Sequence, residues 1–323
     1  MDKSMAKGVL LACMVATAAA AGAQEFPARP VRVVVPFAPG GATDIVTRVV
    51  AQKLTESWRQ TVVVDNRAGA SGNIGADIVA KAAPDGYTLL MTSGSIVTAN
   101  THMFRGKLAY NPDKDLLAVT NVASGPQAIV VHPSQGAKTL KEFIALAKAK
   151  PRAMTYGSAG VATQTHLAAE NFVYTAGIDL IHVPYKGEGP ALSDLVGGQI
   201  QMVTPNLSAA IGFVKSGKLR ALAVTSKERV RQLPDVPAAA ETLPGFENLG
   251  WFGFMVPAAT PKAIVDRIYQ DTVKVLKAPD IASRFEQLGM VPVGNPPAAF
   301  AADIKAESGR WAKIIKERKL EVQ

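Results

Sequence analysis

Strand-like and helix-like segments alternate along nearly the whole chain, and that rhythm limits the fold more than any single motif. A β-branched run at residues 31–36 is followed by a helical period over 44–58, with Ile45, Val49 and Leu54 among its apolar positions. Residues 61–64 read as a strand, 75–83 as a helix and 87–91 as a strand, with Pro84-Asp85-Gly86 marking the turn between the last two. The middle of the chain repeats the pattern. Strands are predicted at 128–131, 154–156, 180–183, 200–203 and 219–224, and helices at 163–174, 190–196 and 208–215. Thr139 and Glu142 form a capping box that opens another helix, at Phe143, Ile144 and Ala147. An aromatic strand at 251–254 follows a Pro- and Ala-rich loop at 233–246. Thr260-Pro261 predicts a helix with Thr260 as N-cap, Gly289 closes the next helix, and Asn295-Pro296 opens the last. This succession predicts an α/β fold with mostly parallel central sheets buried on both faces.

The first residues predict export. Lys3 and Lys7 precede an uncharged apolar stretch at 8–21, which ends in Ala21-Gly22-Ala23, a signal-peptide cleavage pattern. The stretch is shorter than the ~20 apolar residues a spanning helix needs. Leu10-Leu11-Ala12-Cys13 is a rival lipobox, but the residues after it stay apolar, so cleavage after Ala23 is the expectation. Cleavage there removes two lysines and one aspartate from a 323-residue chain of net charge +9, leaving 300 residues and +8. The single cysteine, Cys13, leaves with the signal, so neither disulfide nor thiol chemistry is expected. The basic balance comes without a Lys/Arg run or interleaved aromatics, which argues against a nucleic-acid partner. Scattered positive charge suits steering of small anions, and equally suits solubility alone.

Two glycine-rich loops carry the functional argument. Residues 36–44, with Phe37, Ala38, Gly40, Gly41, Thr43 and Asp44, lie between a strand and a helix. Residues 156–163, with Ser158, Gly160, Ala162 and Thr163, do the same in the second half. A helix start offers unpaired N–H groups and partial positive charge to an anion, and glycine lets the backbone approach it. Open α/β sheets bind ligands at the carboxyl ends of strands, where these loops lie. A Gly-x-x-Gly turn is also an ordinary tight connection, so the pair matters more than either loop.

Other residues leave alternatives open. Asp44 caps its helix or holds a ligand-bound water, and His166 faces the site or makes a structural hydrogen bond. Arg67 pairs with a ligand carboxylate or with Asp65, and Tyr185-Lys186 lines a cleft or the lobe surface. Trp251 and Phe252 pack in the core or wall a cleft.

Enzyme signatures are missing. Residues 212–218 imitate a P-loop, but Leu219 stands where Ser or Thr is required. There is no G-x-S-x-G, and none of the four histidines has another at i+4, so no metal or cofactor is expected. A secreted hydrolase or isomerase would need a nucleophile beside a base, and a sensor would use the same cleft with another partner.

The ordered set of motifs resembles the Bug-type receptors, the extracytoplasmic solute-binding proteins of the tripartite tricarboxylate transporter family. It comprises Pro36-Phe37-Ala38-Pro39-Gly40-Gly41 with Asp44, Asp65-Asn66-Arg67 with Gly72-Asn73-Ile74-Gly75, and Pro84-Asp85-Gly86-Tyr87-Thr88-Leu89. Tyr156-Gly157-Ser158 with Gly160 and His166-Leu167, His182-Val183-Pro184-Tyr185-Lys186-Gly187, Pro190-Ala191 and Asp194-Leu195 follow in the family's order. The resemblance spans nearly all of the chain after residue 23. It implies a periplasmic-binding-protein-like fold, with a first lobe at 24–124 plus 249–323 and a second at 125–248. Crossing strands would join the lobes around a cleft that closes on a small organic acid. It implies a non-enzymatic, monomeric receptor that delivers its ligand to a membrane permease. The contacts implied are Phe37, Ala38, Gly40, Gly41 and Asp44 in the first loop and Ser158, Gly160, Ala162 and Thr163 in the second, with Ser93, His166 and Tyr185 as further walls. The first loop departs from the family's usual Pro-Phe-Pro-x-Gly-Gly by carrying Ala38 before Pro39.

Overall fold

The structure is a computed structural model, and it describes residues 26–318 and 320. The expected signal segment and Cys13 lie outside the described residues.

Each lobe is built around a sheet that buries short β-branched strands. The first sheet begins with β1 (Val31–Val35), β2 (Val62–Asn66) and β3 (Thr88–Ser93), paired in parallel with β1 in the middle. Between β1 and β2 runs α1 (Ala42–Trp58), whose buried Val46, Val50, Leu54 and Trp58 recur every four residues, one turn apart. Trp58 anchors its far end by donating its indole N–H to Asp271 at 2.6 Å. α2 (Asn73–Ala80) connects β2 to β3, and three four-residue helices follow: α3 (Gly94–Val97), α4 (Asn100–Met103) and α5 (Pro112–Asp115).

The chain then crosses to the second lobe through β4 (Leu116–Pro126) and β5 (Ala128–Val131), which are separated only by Gln127. The second lobe continues with α6 (Leu140–Ala149), β6 (Thr155–Ser158), α7 (Gln164–Ala176), β7 (Ile181–Pro184), α8 (Glu188–Val196), β8 (Met202–Val203), α9 (Leu207–Lys215) and β9 (Arg220–Val224). The return runs through β10 (Leu249–Pro257), which pairs antiparallel with both β3 and β4. α10 (Lys262–Leu276), α11 (Pro279–Gln287), β11 (Val291–Pro292) and α12 (Pro297–Arg318) complete the first lobe.

The strand orders are β11-β4-β10-β3-β1-β2 and β7-β6-β8-β5-β9. Apart from the edge strand β11, the two are the same arrangement. β1 lies between β2 and β3, β6 lies between β7 and β8, and the next place in each sheet is taken by the strand arriving from the other lobe, β10 or β5. Both sheets are therefore mixed. Parallel pairing is confined to β1–β3 and β6–β8, and the crossing strands bring the antiparallel pairs. The crossings are tied together where they pass. Gln127 donates its amide N–H to Thr225 Oγ1 at 2.8 Å, Thr225 returns its own to the Gln127 carbonyl at 2.9 Å, and Asn248 N–H reaches the Thr225 carbonyl at 2.8 Å.

Three expectations change: the central sheets are mixed where mostly parallel ones were expected, because the crossing and edge strands pair antiparallel. β4, eleven residues long, carries no period-two pattern because nearly every residue is buried, and it is missing from the strands read from sequence. Thr260 is not the N-cap of its helix: Pro261 holds that position, and Thr260 Oγ1 instead donates to the Pro257 carbonyl at 2.7 Å.

The last helix seats on β10 through Phe300, which is fully buried and meets Trp251 edge-on at 5.1 Å between centroids. Gly253 makes room for it, since a Cβ there would stand 2.4 Å from the Phe300 ring. Phe300→Ala should destabilise the protein by ~3–5 kcal/mol. Urea unfolding followed by circular dichroism checks this, and a loss below ~1 kcal/mol would contradict the anchoring role assigned to the ring.

Candidate functional site

β1 and β6 each end where the neighbouring connections depart in opposite directions, the position at which open α/β sheets form a crevice. Each is followed by one of the glycine-rich loops and then by a long helix, α1 or α7. The two loops come from opposite lobes and border one narrow cleft, with ≈ 20 Å³ of room for a water-sized sphere. From the first lobe it is walled by Phe37, Gly41, Thr43, Ser93 and Phe252, and from the second by Ala159, Thr163, Gln164, Thr165, Glu188 and Asn206. The walls present two aromatic faces, several hydroxyl and amide groups, one carboxylate and no lysine or arginine.

Of the residues expected from the sequence, Phe37, Gly41, Ser93 and Thr163 reach this wall. Ser93 closes β3, is buried, and its Oγ has no hydrogen-bond partner. Thr163 is the N-cap of α7: its Oγ1 accepts the His166 N–H at 3.4 Å and donates to the Gly160 carbonyl at 2.6 Å.

The other expected residues stand behind the wall and shape it. The Asp44 carboxylate accepts the Gly40 N–H at 3.1 Å, Arg48 Nε at 3.0 Å and Asn66 Nδ2 at 3.0 Å. Burial works against its ionisation, but the hydrogen bonds from Arg48, Gly40 and Asn66 outweigh burial and hold it below the usual carboxylate range. Gly40 takes φ +84°, which lets the loop turn into α1. Ala38 donates its N–H across the lobes to the Lys186 carbonyl at 3.0 Å. In the second loop the backbone amides are largely satisfied within the lobe. Ala159 N–H goes to Thr165 Oγ1 at 2.9 Å, Gly160 N–H to Ser158 Oγ at 3.1 Å and Ala162 N–H to His166 Nδ1 at 3.1 Å. Ala162 adopts φ +61°, a left-handed conformation that alanine seldom takes, and its bond to His166 accompanies that strain. Tyr185 donates its hydroxyl to Asp194 at 2.7 Å. Arg67 pairs with Asp65 at 3.0 Å and so takes the structural role.

The sequence motifs do not single out Gln164, Thr165, Glu188 and Asn206, which close the cleft from the second lobe. Gln164 links the lobes by accepting the Gly94 N–H at 3.3 Å while donating to Asn206 Oδ1 at 2.9 Å. Glu188, 5% exposed, accepts the N–H of Ala42 in the first turn of α1 at 2.6 Å, and both N–H and Nδ2 of Asn206 at 2.8 and 2.6 Å. Complete burial pushes its pKa up, opposed by those hydrogen bonds from Asn206 and Ala42. The one signal in the sequence is an acid between two glycines, Gly187-Glu188-Gly189, at a strand-to-helix turn.

Beneath the second loop lies a stack of rings, with Tyr156 and His166 buried and His182 half-buried. His166 and His182 stand 4.1 Å apart, with Tyr156 4.9 Å from His182. Because His166 Nδ1 accepts a backbone N–H, its proton sits on Nε2. Burial, and then the neighbouring His182, push His166 down to about 3, and burial pushes His182 down to about 4. Both rings are neutral in the fold but take protons below ~6.5 when unfolded. Between pH 6.5 and about 4 the unfolded state therefore binds more protons, and stability should fall as pH falls. Melting temperatures measured from pH 7.5 to 4.5 should drop along this limb, and His166→Gln should flatten it; equal slopes in the two proteins would contradict the assignment.

The profile of a family described as "Tripartite tricarboxylate transporter family receptor" matches residues 46–320. BugT of Bordetella pertussis is 37% identical over 301 residues, covering 93% of this chain and 92% of BugT. Among solved structures, Rhodopseudomonas palustris Rpa4515 with adipate superposes with a TM-score of 0.88 at 34% identity, covering 90% of this chain and 98% of that one. MatC of Rhodopseudomonas palustris with bound malate gives 0.85 at 32%, covering 90% of this chain and 100% of that one. Among the described residues no helix is long and apolar enough to cross a membrane. With its periplasmic-binding-protein fold, this chain belongs to the tripartite tricarboxylate transporter receptor family, whose members are binding proteins and not enzymes.

Proposed function

We propose that this protein is an exported receptor that captures one small organic acid between its lobes and hands it to a tripartite tricarboxylate-type membrane permease. The observation that carries the reading is the closed cleft between α1 and α7, two helix starts from opposite lobes, walled by hydroxyl and amide groups without a cationic side chain. Helix N-termini hold carboxylates through oriented N–H groups and the helix dipole. The adipate and malate held by the relatives support the same ligand class. Export by cleavage after Ala23 supports a periplasmic site of action, and the chain works as a monomer whose lobes, 24–124 plus 249–323 and 125–248, close about the Gln127–Thr225 crossing. Micromolar capture requires about −8 kcal/mol, within reach of a few charge-assisted hydrogen bonds plus closure.

A thermal-shift screen against organic acids tests the reading, because a ligand bound only by the folded state raises the melting temperature. At a hundredfold excess over Kd the expected rise is ~5 °C. Gly41→Val and Gly160→Val should weaken binding of the active acid at least tenfold, by calorimetry, while both proteins stay folded. At Gly41 a Cβ would lie 3.1 Å from a Glu188 oxygen, and at Gly160, with φ +132°, 3.2 Å from Ser71 Oγ. A flat response to every acid, or unchanged affinity in both variants, would overturn the reading.

A further inference from the structure

Glu188 sits where an anionic ligand would be expected. α1 starts at the carboxyl edge of the first sheet, and the N–H of Ala42 in its first turn points to the cleft side, where an anion would be held. In this protein the chain supplies that anion. The Glu188 carboxylate reaches across from α8; burial pushes its pKa up, but all three groups that meet its oxygens (Ala42 N–H and the two donors of Asn206) are N–H donors, so the charged acceptor is the form that satisfies them. The neighbouring glycines are what allow the reach. A Cβ at residue 189 would stand 2.3 Å from the Pro39 carbonyl oxygen, and one at residue 187 would stand 3.0 Å from Ala38 N.

The consequence falls on the ligand. The cleft wall holds one carboxylate of its own and no lysine or arginine to offset a second and a third. A ligand carboxylate beside Glu188 would meet like charge in a buried place, where such repulsion is poorly screened. The start of α7 is different. Thr163, Gln164 and Thr165 face the cleft there, no acidic side chain pairs with them, and the unpartnered Ser93 Oγ shares the same space. One carboxylate can be held on that side. The rest of the ligand then lies against Phe37, Phe252 and the Glu188 end, where an uncharged or hydrogen-donating group fits.

Resting on the organic-acid reading above, we propose that Glu188 determines specificity: by supplying the anion at the start of α1, it restricts the receptor to monocarboxylates with an uncharged far end and disfavours dicarboxylates. The test is calorimetric titration with matched pairs that differ by one charge at constant length: succinate and succinamate, glutarate and glutaramate, adipate and adipamate. The native protein should bind the best half-amide at least tenfold more tightly than its diacid. Glu188→Gly, which frees the Ala42 N–H, should raise diacid affinity at least tenfold. Glu188→Gln, which keeps the size and the pairing with Asn206, should narrow the ratio and serves as the second variant if the glycine protein fails to fold. A native protein that prefers diacids, or a ratio that both folded variants leave unchanged, would overturn the role of Glu188 and leave the organic-acid reading standing. If no member of either series binds the native protein or the variants, the organic-acid reading itself fails.

Discussion

The unpaired N–H groups at the starts of α1 and α7 are the constraint around which the molecule is organised. A strand that turns directly into a helix leaves such donors at the carboxyl edge of its sheet, and once buried they must find acceptors. Two sheets facing each other edge to edge double that demand in one place. The closed cleft meets part of it from within: Thr163 caps α7 with its own hydroxyl, and Glu188 reaches between lobes to the start of α1. What is left exposed to the cleft, including the Ser93 hydroxyl and the first turn of α7, defines the chemistry a ligand can bring.

The crossing strands fix how the two sheets face each other. β4 and β10 run antiparallel through the first sheet, and β4 passes into β5 through the single residue Gln127. Gln127 and Thr225 tie the crossings to each other by hydrogen bonds at the point where the chain passes between the lobes. The lobes meet through polar contacts, among them Ala38 to Lys186, Ala42 to Glu188 and Gly94 to Gln164, and through an apolar cluster that joins α1 to Leu207, Ala210 and Ile211 of α9.

Much of the fold was legible in the sequence, because local chemistry decides it. The β-branched run that became β1, the helical period of α1 and the Thr139 cap of α6 each act over a few residues and formed where expected, although the Glu142 carboxylate accepts the Lys138 N–H and so leaves the expected box half made. β4 escaped because a strand buried on both faces loses its alternation. The site divides in the same way. Its glycine loops were visible as strand-to-helix turns, yet Asp44, Ser158, Ala162 and His166 spend their hydrogen bonds on holding those loops. The partner that changes the chemistry, Glu188, lies 146 residues from Ala42, and only the closure of one lobe on the other brings them together.

Central to the proposed function is one acid held between the lobes at these helix starts. Amide-resolved NMR during titration with a monocarboxylate tests that directly. The largest changes should fall on Thr43, Ser93, Gln164 and Thr165, which wall the cleft, with smaller ones at Gln127 and Thr225 as the crossing adjusts. Changes gathered instead around the outer groove of Asn171, Trp311 and Arg318, with the cleft amides unmoved, would contradict it.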